Sequence, residues 1–111
     1  MRHWYSKETI ESIWQKAKQV DGYNPNIWRK DFAGAWIRHD SYGAYNEYGW
    51  EIDHKKPNAI GGNDSIENLW ALHWRNNQTK GDMYPDFKTC ITSEGNNNIE
   101  KELSWTWKKN Q

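Results

Sequence analysis

Asp53 and His54 are neighbours in the chain, Asn68 follows later, and Asn77 and Lys80 lie three apart further on. These side-chain types suit hydrolysis of a phosphodiester. That reaction needs a deprotonated water, stabilised charge on a phosphorane-like transition state, and a neutralised leaving 3′ oxygen. An imidazole with its ordinary pKa of about 6.5 can take a proton from water near neutral pH, so His54 is the candidate base. A divalent cation can grip a phosphate oxygen and the leaving oxygen together. Mg²⁺ is content with one or two protein ligands plus waters and substrate oxygens. The Asp53 carboxylate and the Asn77 amide oxygen are hard donors, which favours Mg²⁺ or Mn²⁺ over zinc. An Asp-His dipeptide alone means little, so the weight falls on the elements around it.

Those elements can be read from pattern. Residues 49–54 alternate, with Trp50, Ile52 and His54 on one face of a strand and Glu51 and Asp53 on the other. Asp53 and His54 can serve one site only if the strand ends there and the backbone turns. Pro57 supports that ending. Residues 57–67 form a loop in which Gly61-Gly62-Asn63-Asp64 permits positive φ and a tight turn. A second strand follows over 69–73, then a short helix over 74–81 that sets Asn77 and Lys80 on neighbouring positions of one face and stops at Gly81. Upstream, Ile10, Ile13, Trp14, Ala17 and Val20 recur at helical steps, giving an amphipathic supporting helix over 6–20 with Ser6 as N-cap and Gly22 as its stop. Trp28 to Asp31 reads as a short turn or helix and 34–38 as a strand. A hairpin is expected to join a strand over 35–39 to the one over 49–54. Lys88 to Ser93 reads as a strand, residues 94–98 as a turn, and Ile99, Leu103, Trp105 and Trp107 share one face of a final strand.

The run W-E-I-D-H-K-K-P-N-A-I-G-G-N-D-S-I-E-N-L-W-A-L-H-W-R-N-N-Q-T-K-G-D, residues 50–82, resembles the HNH endonuclease family, also called the ββα-metal or His-Me finger. The match is D-H, P, G-G, N-L and N-x-x-K in order, over about a third of the chain. The W-R-K-D-F-A-G-A-W-I run and the Y-G-W-E-I-D-H approach are similar to a bacterial and phage branch of it. The resemblance implies Asp53 and Asn77 as metal ligands, His54 as general base, and Asn68 as the central residue bracing the loop that orients His54. It also implies a substrate-side role for Lys80 near the phosphate. Lys55 and Lys56 replace an apolar pair common in relatives, which leaves the loop less anchored or turns it toward phosphate. His73 stands where other branches place a zinc cysteine. Without partner cysteines it reads as structural or substrate-contacting. Phe32, where the branch often has Cys, reads as core packing, and His3 and His39 as solvated or packing histidines. The expected architecture is α+β: one domain over 1–111 with the ββα-metal core at 49–82, an N-terminal helix and hairpin over 1–48, and a C-terminal extension over 83–111.

Composition narrows the function classes. Hydrophobic residues make up 35% of the chain, so nine Trp and six Tyr must supply much of the core. Fifteen basic residues balance fifteen acidic ones. This argues against a strongly basic DNA scavenger, whose duplex affinity would come from Lys and Arg. Cys90 is the single cysteine, which rules out an internal disulfide and a Cys-based zinc cage. No apolar stretch suits a signal core or a membrane span, so a cytoplasmic location is the default. The leading expectation is a metal-dependent DNA endonuclease using one divalent cation, Mg²⁺ ahead of Mn²⁺, with no structural zinc and no membrane partner. RNA stays open as substrate, and a homodimer or larger nuclease assembly would present more than one site. The competing expectation is an HNH scaffold that binds nucleic acid or protein without cutting, its aromatic residues serving as anchors.

Overall fold

The computed structural model describes residues 4–108 and is α+β. The element order is α1 (Lys7–Lys16), β1 (Trp28–Lys30), β2 (Trp36–Arg38), β3 (Trp50–His54), β4 (Leu69–His73), α2 (Trp74–Lys80), β5 (Asp86–Glu94) and β6 (Asn97–Thr106). Among the described residues the strands pair as three antiparallel ladders, β1 with β2, β3 with β4, and β5 with β6.

Helix α1 begins as its sequence dictates, with the Ser6 hydroxyl accepting the Thr9 N–H. It ends earlier than the expected 6–20 span. Ala17 is already extended, and Lys18 bridges Lys30. The reason lies in Arg29, which is buried and donates to the carbonyls of Gln15 and Ala17 at 3.0 and 3.1 Å. A guanidinium gathers the unpaired carbonyls of a helix C-terminus well. Ile13 and Trp14 carry the apolar face into the core with Ile37, Trp50, Ile52, Leu69 and Ala71.

Two further expectations are corrected. Residues 28–30 are a strand, not a turn or helix, because Trp28 pairs with Arg38 and Lys30 with Trp36. Consequently β2 does not join β3 in a hairpin. β3 takes β4 as its partner, with Trp50 opposite His73 and His54 opposite Leu69. A 3₁₀ turn over His39–Ser41 and the bonds Arg38 N–H to Tyr48 O (3.1 Å) and Gly43 N–H to Trp50 O (2.8 Å) lead the chain into β3 instead.

Helix α2 is fastened by a buried polar hub. The Asn76 amide oxygen accepts the Cys90 and Ile91 N–H groups at 2.9 and 2.8 Å, where the β5–β6 register shifts. Its NH₂ donates to the Ile91 carbonyl and to Asp31 Oδ2. Asp31 also accepts from the His73 and Ala35 N–H groups. Burial pushes the Asp31 carboxyl above its ordinary range, and these donors oppose the shift. A second cluster of Trp70, Leu72 and Phe87 packs with Phe32, Trp105 and Trp107. Phe32 meets Trp70 and Trp105 edge-on at 4.8 and 4.6 Å, which is the packing role its type predicts.

Candidate active site

β3 runs out at His54, and the loop from Lys55 to Asn68 returns the chain to β4. Asn68 ties that loop shut. Its Oδ1 accepts the Lys56 N–H at 2.9 Å, and its NH₂ donates to the carbonyls of Lys56 (3.0 Å) and Asn63 (2.8 Å). Its own carbonyl accepts the Lys55 N–H at 2.7 Å. An amide is the side chain that can donate and accept in one place. Gly61 has φ +99°, and a Cβ at Gly62 would overlap the Lys56 carbonyl, so the loop closes only with glycine there.

This turn at the strand end lets adjacent residues share a site. Asp53, His54 and Asn77 line one cavity of about 620 Å³, together with Glu51. His54 Nε2 lies 2.6 Å from Asp64 Oδ1. An ionised carboxylate only accepts, so Nε2 carries the hydrogen and Nδ1 is the basic nitrogen. The Asn77 NH₂ donates to Glu51 Oε1 at 3.1 Å, which orients the amide and leaves its oxygen as the donor atom. Asp53 is buried. Its Oδ2 accepts Trp70 Nε1–H at 2.8 Å and pairs with Lys80 Nζ at 3.0 Å, while Oδ1 makes no hydrogen bond to a described residue. Burial pushes the Asp53 carboxyl above its usual range, against the pull of the Lys80 charge and the indole N–H. The Tyr5 phenol, at the same cavity, is pushed up to about 12 by burial and by the charges of Asp64 and Asp53, with Tyr42 adding to the effect, so it stays a neutral hydroxyl.

The other residues singled out from the sequence lie elsewhere. Lys80 is 1% exposed, is not among the cavity's lining residues, and braces the site from behind, donating also to the His54 carbonyl at 2.9 Å. This is the physical reason it does not meet the phosphate as expected: its charge is spent on Asp53. His73 is buried at the head of α2, where Nδ1 accepts the Arg75 N–H and Nε2 donates to the Glu47 carbonyl, so it is structural. Burial first, then the nearby Arg75 charge, lowers its pKa. Lys55 lies over the Trp70 and Trp107 rings and lines a separate groove with Lys16, Lys18 and Lys30. The Lys56 side chain is exposed and outside the cavity lining. His39 packs edge-on against Trp14 and pairs with Glu11 at 2.7 Å. His3 lies outside the described residues.

Sequence reasoning assigned no role to Glu51 or Asp64. Glu51 was signalled by its place two residues before Asp53 on the same strand face. Asp64 carried no signal beyond its turn-forming type, since only the folded loop brings it to His54.

Three acids, Glu51, Asp53 and Asp82, line the cavity, and among its described lining residues there is no Lys or Arg. Carboxylate oxygens of this kind are ligands that a hard divalent cation accepts. No cluster of three His, Cys, Asp or Glu residues suited to a metal occurs among the described residues. A set in which an amide supplies one of two oxygens, with waters filling the rest, nonetheless fits a small hard cation. The residues present therefore fit the divalent ion that the motif implies.

A β-hairpin running into a helix, with Asp, His and Asn gathered from strand end and helix, defines a ββα unit. Residues 38–83 match the family model described as HNH endonuclease, and the chain carries an HNH-type domain there. That domain indicates a nuclease-type function in general. No curated protein and no solved structure matches the chain. No helix among the described residues is long and apolar enough to cross a membrane.

Proposed function

We propose that the protein is an endonuclease that hydrolyses DNA phosphodiesters with the help of one divalent cation, Mg²⁺ or Mn²⁺. The observation that carries this reading is the convergence of Asp53, His54 and Asn77 on one acid-lined cavity without a lining Lys or Arg among its described residues. Asp53 Oδ1 and the Asn77 amide oxygen would hold the ion, which supplies charge neutralisation for the phosphate and for the leaving oxygen. His54 Nδ1 accepts a proton from the attacking water while Asp64 holds the ring through Nε2–H. The resulting hydroxide bonds to phosphorus, the P–O3′ bond breaks with its electron pair on the 3′ oxygen, and that oxygen takes a proton from solvent. The products are a 5′-phosphate and a 3′-hydroxyl. Trp70 and Lys80 fix Asp53, and Glu51 fixes Asn77, so the two donor oxygens are oriented before substrate arrives.

Cleavage of plasmid and of a circular single strand with Mg²⁺ or Mn²⁺ tests the proposal. His54→Ala should cut about 10²–10⁴-fold more slowly, the usual contribution of a general base. Wild type cutting no faster than His54→Ala overturns it. The neutral net charge and the exposed aromatic residues favour one other reading, a binding module that does not cut. A pure binder need show no Asp53-dependent Mn²⁺ uptake.

A further inference from the structure

The wall of the same cavity departs from what a duplex-gripping nuclease needs. Trp4, Tyr5, Tyr42 and Tyr45 line it, and among its described lining residues there is no Lys or Arg. Affinity for continuous duplex comes mainly from cations on phosphates, whereas single strands are held by bases stacking on aromatic faces. Among the described residues the two most exposed large apolar side chains are Trp4, at 91%, and Tyr45, at 63%, and both sit on this one cavity. Scattered exposed apolar residues call for no explanation, but two at the mouth of a catalytic cavity do. Tyr45 is also backed. Its ring lies 5.2 Å from that of Trp74, whose Nε1–H is anchored on the Asn46 carbonyl at 2.7 Å. Tyr42 is backed in the same way by Trp50, ring to ring at 5.0 Å. Rings held in place lose little freedom when a ligand stacks on them.

We propose that Trp4 and Tyr45 stack an unpaired base beside the scissile phosphate, so that the substrate of this cavity is single-stranded or locally unpaired DNA. The part of this statement that concerns cleavage rests on the nuclease reading above; the part that concerns binding does not. A paired base cannot offer its face to a side chain without leaving the stack, at a cost of a few kcal/mol. An already unpaired strand avoids that cost, and the acid-lined floor then meets only the phosphate whose charge the proposed cation would neutralise.

The test is fluorescence anisotropy with the full chain carrying His54→Ala, in Mg²⁺, using a labelled 12-nucleotide single strand and the blunt duplex of the same sequence. The single strand should bind at least about 10-fold more tightly. Tyr45→Ala in that background should weaken single-strand binding about 5–100-fold, the usual worth of one stacked base, with Trp4→Ala acting in the same direction. Tyr45→Phe, which keeps the ring, should stay within about 2-fold, and duplex binding should not respond to any of the three. Salt dependence should be shallow, with a log–log slope smaller in magnitude than about 1.5, or about two phosphate contacts at about 0.7 each. Equal or tighter duplex binding, equal losses in Tyr45→Ala and Tyr45→Phe, or a steep salt slope overturns the proposal. Cutting of a circular single strand beside plasmid separates the two readings. His54-dependent cutting without single-strand preference sinks only this inference; Tyr45-dependent single-strand binding with neither DNA cut sinks only the nuclease reading.

Discussion

Two histidines of the same motif have been put to opposite uses, and their hydrogen bonds say which is which. His54 offers Nε2–H to a carboxylate at the edge of an open cavity. His73 is closed in, with Nδ1 accepting a backbone N–H, a role available only to the neutral ring. Its pKa is lowered by burial, and the sign of the consequence is fixed by linkage. Below about pH 6.5 the unfolded chain protonates this histidine while the native state does not. Stability owed to a neutral His73 is thus present above that pH and is lost as pH falls toward the folded pKa, by at most about 1.4 kcal/mol per pH unit. His73→Asn should cost about 1–2 kcal/mol at pH 7.5, as a lost cap and a lost bond do. Its deficit against wild type should shrink as urea unfolding is repeated down to pH 5. Comparing the two proteins cancels Asp31 and Asp53, whose raised pKa values favour the native state as pH falls. A deficit that stays constant with pH would mean that His73 is not held neutral. From residue type alone His73 could be structural or touch substrate. The register that sets it opposite Trp50, and so inside the core, decides the matter.

At the scale of elements, the sequence was most legible where local chemistry closes a structure. The Ser6 cap, the glycine pair in the loop and the strand over 69–73 stand where pattern puts them, and the helix expected over 74–81 runs from Trp74 to Lys80. It was least legible where a distant partner decides. Arg29 shortens α1 from another element, and Lys80 vanishes behind Asp53, a pairing that no spacing along the chain reveals. The loop of residues 55–68 shows both sides. Its turn was legible, but the Asp64 contact that orients His54 was not. Asn68 is the residue through which the loop can be tested. Asn68→Ala loses one acceptor and two donor contacts in a partly buried place, which should cost about 2 kcal/mol of stability. It should also slow plasmid cutting more than about 10-fold, because His54 and Asp64 lose their fixed separation. Asn68→Asp retains the acceptor but turns a carboxylate toward two carbonyls, so it should rescue neither property. Recovery of cutting by the aspartate would show that the loop is held by something other than this amide.

Glu51, Asp53 and Asp82 line one cavity, with Asp53 held by Lys80 from the buried side and Glu51 accepting from the Asn77 amide. The proposed ion would join β3, through Asp53, to α2, through Asn77, and so add to the Asp53–Lys80 ion pair and the Asn77–Glu51 hydrogen bond that already tie the two elements. A ligand that binds only the native state stabilises it by RT ln(1 + [L]/Kd), about 1.4 kcal/mol at ten times Kd. For a domain near 100 residues this raises Tm by about 5–10 °C. Thermal unfolding in Mg²⁺ or Mn²⁺ should show that rise, and EDTA should reverse it. Asp53→Ala is the obvious control but a poor one. It strands a buried ammonium and an indole N–H, a loss of about 3–5 kcal/mol in itself. Asn77→Ala is cleaner, since the helix keeps its hub and only the amide oxygen and the Glu51 bond go. The quantity to compare is therefore the metal-induced shift within each protein rather than the absolute Tm. Asn77→Ala should unfold near the wild-type temperature in EDTA and lose most of the shift; a full shift in that variant would place the ion somewhere other than between this strand and this helix.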